Sequence, residues 1–110
     1  MTNIGERVGA ILCQEEDRIE FLGYGVYEGD FFPAEAVGAV AKDVQETRFT
    51  NPRIRLDNGK VVYGCECWWG NEDEIKSALE EHVRHGYKII ERDIDKVREE
   101  YKREEQSLFN

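Results

Sequence analysis

No stretch of this chain approaches the ~20 consecutive apolar residues that a membrane span requires. The segment from Met1 to Arg7 is polar and lacks the apolar run of a signal peptide. Cysteine is scarce and odd in number, three at irregular spacing, which argues against a disulfide framework and for a reducing compartment. Together these absences predict a cytoplasmic protein. Positive charge is also in short supply: 15 Lys and Arg stand against 24 Asp and Glu, a net charge of −9. A field of that sign repels phosphate backbones and anionic lipid, which excludes broad nucleic-acid or membrane binding while leaving room for a local basic pocket. The same charge suits a surface that blocks a basic partner. The chain shows no internal repeat and no low-complexity linker, and its 110 residues suffice for a single domain, 1–110, with one modest core.

What is present reads as mainly β over 1–70 and helix–strand–helix over 71–110. Glu6 to Cys13 reads as a strand with Val8, Ala10 and Leu12 on one face, and Arg18 to Tyr27 as a second, rich in β-formers and interrupted by Gly23 and Gly25. Glu28-Gly29-Asp30 reads as a turn. A helix is expected over 33–46, with Pro33 at its start and Val37, Val40, Ala41 and Val44 at helical spacing.

Asn58-Gly59 is the pair that a two-residue hairpin turn favours. That turn would set Leu56 opposite Val61, Arg55 opposite Val62, Ile54 opposite Tyr63 and Arg53 opposite Gly64, in a hairpin running from Asn51 to Trp69. Alternation then gives a core face of Ile54, Leu56, Val61, Tyr63, Cys65, Cys67 and Trp69. The outer face holds Arg53, Arg55, Val62, Gly64, Glu66 and Trp68.

Asn71 caps a helix to His85, with Ile75, Ala78, Leu79 and Val83 as its apolar stripe and Gly86 as its stop. Tyr87 to Arg92 reads as a strand. Asp93 caps a last helix whose narrow stripe, Ile94, Val97 and Tyr101, either lies on the body or pairs with a second copy in a homo-oligomer. The fold class is α+β: a small curved antiparallel sheet of about five strands, closing as an SH3-like half-barrel, with two C-terminal helices.

The outer hairpin face is the main candidate site. Two arginines on one strand beside an exposed tryptophan suit an anionic aromatic ligand, most plausibly a nucleotide, with Arg53, Arg55 and Trp68 as contacts and Glu66 on the same face. Against this stands burial of Trp68 with the arginines paired to surface carboxylates. Gly23 to Pro33 packs three glycines and four aromatics into eleven residues. It reads as a recognition loop adding Tyr24, Tyr27 and Asp30, with Phe31 and Phe32 as interaction residues, against a bent strand whose aromatics fill a barrel end, the reading that suits Tyr24 better.

A zinc site at Cys65, Cys67, His82 and His85 is the alternative. The Cys-x-Cys spacing is tighter than zinc pairs use, and the hairpin face makes both cysteines core residues. No P-loop, dinucleotide fingerprint or activated nucleophile is evident, so neither an enzyme nor a cofactor is expected.

Three stretches, IGERVGAIL at 4–12, FLGYGVYEGD at 21–30 and NPRIRLDNGKVVYGCECWWG at 51–70, resemble a group of small proteins of unknown role in phage and bacterial genomes. The resemblance spans about the first two-thirds of the chain and implies context only: a binder that blunts a host defence system, by sequestering a nucleotide signal or by occupying a basic host protein. No activity or residue role comes with it.

Overall fold

The first two strands form a long antiparallel hairpin closed by a charged turn. β1 (Arg7–Gln14) pairs β2 (Arg18–Phe31) from Arg7↔Val26 to Gln14↔Ile19. The computed structural model describes residues 2–109. Two bulges break this ladder, one on each strand: Leu22 is inserted on β2 and Leu12 on β1. Gly23 takes φ +135° at the first, so the bend foreshadowed by Gly23 and Gly25 is present. The second brings Cys13 opposite Glu20.

β2 runs four residues further than its β-former pattern suggests. Glu28–Asp30 is not a turn but strand, pairing across a bulge with β3 (Asn51–Leu56) as far as Phe31↔Asn51. Gly25 is required here, because a Cβ would lie 2.7 Å from the Leu56 Cα. The helix of this region is α1 (Ala39–Thr47), shorter than 33–46. The preceding segment is instead tied down by Gln45, whose Nε2 donates to the carbonyls of Pro33 (2.7 Å) and Ala36 (3.0 Å).

The hairpin at Asn58-Gly59 forms with a register one residue away from that expected. β4 (Val61–Tyr63) pairs β3 as Arg53↔Tyr63, Ile54↔Val62 and Arg55↔Val61. Leu56 N–H donates to Lys60 C=O and Gly59 N–H to Leu56 C=O, with Gly59 at φ +87°. The loop therefore has three residues, with glycine in the left-handed position. A one-residue slip exchanges faces: Val62 is fully buried beside Ile54, while Val61 and Tyr63 join the side of Arg53 and Arg55. The hairpin also stops early. A short 3-10 turn, Gly64–Glu66, leads into β5 (Trp68–Asn71), which pairs β1 rather than β3.

Asn71 Oδ1 accepts the Asp73 N–H to open α2 (Glu72–Arg84), and Gly86 at φ +90° ends it. β6 (Lys88–Glu91) runs parallel to β2, Arg18↔Lys88 to Phe21↔Glu91. Asp93 Oδ1 accepts the Asp95 N–H at the start of α3 (Ile94–Phe109).

The fold is thus α+β as expected, with six strands rather than five. The order is β4-β3-β2-β1-β5, with β6 on β2. The sheet is curved but open, its ends β4 and β5 unpaired with each other. Successive β2 residues feed opposite sides. Leu22 joins Val8, Ala10, Ile54, Leu56, Val62, Ile94 and Val97 under α3, while Phe21 joins Ile11, Ile19 and Leu79 under α2. α3 therefore docks on its own chain. A third cluster sets Ala36 and Ala41 against Tyr63.

Candidate functional site

Arg53 and Arg55 do share one face of β3, but both are occupied. Their Nε–H groups donate to the two oxygens of Glu28, each at 3.0 Å. Arg55 also donates to the Gly59 carbonyl, and the Arg53 guanidinium lies 3.4 Å from the Phe31 ring centroid. Glu28, which the turn reading left without a role, bridges the pair and offsets one of its two charges. Nothing in local sequence signals this; it follows from β2 continuing alongside β3.

Trp68 is 70% exposed, as a stacking residue should be. It stands on β5, however, three inter-strand steps from β3, or about 14 Å at ~4.8 Å per step. The chain does not bring it to the arginines. Trp69, its neighbour, turns inward and stacks on Tyr27 at 5.4 Å. Tyr27 donates its hydroxyl to Asp30 (3.1 Å), so these two expected loop residues satisfy each other. Tyr24 lies on the other side of the sheet, edge-on to Phe21 at 5.0 Å.

Glu66 is not an outer-face residue. Its side chain is 1% exposed and accepts two bonds from Arg98, at 3.1 and 2.8 Å, and the backbone N–H groups of Val37 and Tyr63. Phe31 and Phe32 are exposed as interaction residues would be, with Phe49 exposed too.

The four possible zinc ligands do not converge. Cys65 packs with the Ala36–Ala41–Tyr63 cluster and Cys67 against the main core, its thiol 3.4 Å from the Tyr63 carbonyl. Burial, helped by Glu66, pushes both thiols up. His82 and His85 bond carbonyls one turn back on α2, at 2.7 and 2.8 Å. Among the described residues, the group of three such side chains whose ligand atoms lie within 4.8 Å of one another is Cys13, Glu15 and Glu20. Sequence spacing gives no hint of it, since the Leu12 bulge creates the juxtaposition. Glu20 is buried and already bonded by Arg92 and by the Cys13 thiol at 3.1 Å. Burial, then the bond with Glu20, pushes Cys13 up to about 12, so its sulfur is protonated at neutral pH and is a poor nucleophile.

Four concavities stand out among the described residues. One of about 370 Å³ opens beside β2 at Leu22–Tyr24, between the β3–β4 turn and the β6–α3 junction. A second, about 230 Å³, lies under α3 and is lined by Cys13, Glu20, Glu66, Arg92, Glu100 and Glu104 among others. A third, about 450 Å³, runs along α2 between Tyr24, Lys76, Leu79, Glu80, Val83 and Arg84. A fourth, about 390 Å³, is lined by Phe32, Gln45 and Arg48. The first two are rich in carboxylates and the third carries two cations. Among the described residues, no helix is long and apolar enough to cross a membrane. Comparison with protein-family models, with curated proteins and with solved structures finds no match.

Proposed function

We propose that this chain is a non-enzymatic binding protein whose acidic surface occupies a basic protein partner. The observation that carries the reading is the fate of Arg53 and Arg55. Both share the single carboxylate of Glu28, which takes up their Nε–H donors and leaves the face only one net positive charge to offer an anion. Carboxylates, by contrast, line the cleft beside β2 and the one under α3, in a molecule with nine surplus negative charges. Such a surface steers a positively charged partner and sets its orientation. In the phage or bacterial setting that the first two-thirds of the sequence resembles, a host defence protein is the natural target. Affinity capture from host lysate at low salt, with identification by mass spectrometry, tests this. Basic proteins released by raising salt from ~0.05 to ~0.5 M are the expected result, because screening shortens the Debye length from roughly 14 to 4 Å. Recovery of none at low salt overturns it.

A second reading rests on the groove along α2. Lys76, which forms no ion pair among the described residues, lines it with Tyr24 and with Arg84, itself paired with Glu81 at 2.6 Å. An anionic aromatic molecule such as a nucleotide signal would find charge and a stacking surface there, opposed by Glu80. Native mass spectrometry of the purified protein discriminates: retained nucleotide mass, abolished by Lys76→Glu, favours this reading over the first, and a nucleotide-free species removes it.

A further inference from the structure

β2 has two different neighbours on one edge. β6 follows it to Phe21 and β3 joins it at Gly25. The last backbone bonds on either side are Arg92 N–H to Phe21 C=O, 2.8 Å, and Asp57 N–H to Tyr24 C=O, 2.9 Å. Between them the sheet is split, and the split is the cleft of about 370 Å³. That volume lies in the range of small-ligand sites and admits one long side chain with room for its flanking backbone. Its walls combine apolar and aromatic surface, Leu22, Tyr24 and Leu56, with the carboxylates Asp57, Glu91 and Asp93.

The charge around this cleft is out of balance in a regular way. Each nearby cation is shared by two carboxylates: Arg7 by Asp57 and Glu72, Lys60 by Asp93 and Asp95, Arg92 by Glu20 and Glu100. Glu91 makes no ion pair among the described residues. Arg18 likewise reaches both Asp17 and Glu20, so four cations face eight carboxylates. Arg92, the one cation among the described residues that line the cleft, is turned away into its two glutamates.

We infer that this cleft receives an arginine side chain from the partner. The inference rests on the proposed function and gives it an address. A guanidinium supplies the missing positive charge, bonds carboxylates in a fork, and lies flat against a tyrosine ring in a way that a lysine ammonium does not.

The test is a titration of the ¹⁵N-labelled protein with capped Gly-Arg-Gly and Gly-Lys-Gly peptides at low ionic strength, followed by amide chemical shifts. Expected are shifts centred on Leu22–Tyr24, Asn58 and Glu91, stronger for the arginine peptide, with affinity falling roughly tenfold in Glu91→Lys and less in Glu91→Gln. Glu91 is exposed and unpaired, so both variants should keep the circular dichroism spectrum and melting temperature of the parent. Shifts centred instead on α2 or the exposed part of α3, with Glu91→Lys unchanged, overturn the cleft and leave the acidic-surface reading standing. No shift with either peptide overturns the cleft and, together with an empty lysate capture, the proposed function as well.

Discussion

Glu66 shows how a residue's role depends on what it meets. Its carboxylate, 1% exposed, joins α3 through Arg98, the 3-10 turn through the Tyr63 N–H, and the segment before α1 through the Val37 N–H. Removing one member of such a buried pair strands the other charge, which costs about 3–5 kcal/mol. Glu66→Ala should therefore lose at least that in denaturant unfolding, whereas Trp68→Ala, at an exposed site, should change stability by less than ~0.5 kcal/mol. Equal losses in the two variants would show that Glu66 is not the junction described. Cys13 offers a chemical check at the same scale. Its thiol is held up at about 12 from an ordinary 9.0 by burial and Glu20. Alkylation by iodoacetamide at pH 8 should be roughly tenfold or more slower than for unfolded protein, since only the thiolate reacts. A rate matching the unfolded chain would place the sulfur outside this network.

At the scale of elements, the β3–β4 turn and α3 decide most. Gly59 at φ +87° permits the three-residue loop, and Gly59→Ala should cost about 1–2 kcal/mol from left-handed strain alone. α3 seats Ile94 and Val97, both nearly fully buried, on the sheet. Ile94→Ala should cost about 2–5 kcal/mol. Its melting temperature and that of the parent should be independent of protein concentration, because the helix docks on its own chain; a concentration-dependent transition would point to docking between copies.

These elements also show what local sequence could and could not reveal. The turn at Asn58-Gly59, the caps at Asn71 and Asp93 and the stop at Gly86 were legible because each depends on one residue's intrinsic backbone preference. The register was not, since Gly59 serves a two-residue and a three-residue loop equally, and only the burial of Val62 against the core selects one. The composite Arg53–Arg55–Trp68 face failed for the same reason. It required β5 to continue the hairpin, and β5 instead pairs β1, a choice made between strands more than fifty residues apart.

For the whole molecule, charge governs behaviour with pH. Asp57 and Asp93 lie below the ordinary 3.8, held there mainly by Arg7 and Lys60. Burial works to raise Glu20, but bonds from Cys13 and Arg92 outweigh it and lower it from 4.5. Groups depressed on folding contribute stability that is present above their unfolded values and lost as pH falls through the folded ones. Opposing this, self-repulsion from the net charge relaxes as pH falls toward the isoelectric point near 4.7. Melting temperature should accordingly hold or rise from pH 7 to 5 and then drop below about pH 4. A continued rise to pH 3 in thermal melts would show that the ion pairs contribute nothing.

By itself the sequence determined the class of this protein: an acidic α+β domain whose turns, caps and apolar stripes place most of its elements, because those signals act over a few residues through backbone preference and hydrophobic period. Only the tertiary structure decided which strands meet, and with that which charges are spent. Glu28 takes both arginines, Glu66 sinks into the junction below α3, and β2 divides its edge between β6 and β3 to open an acidic cleft. Pairing between distant strands is fixed by burial of the whole sheet, and no local window of residues contains that information.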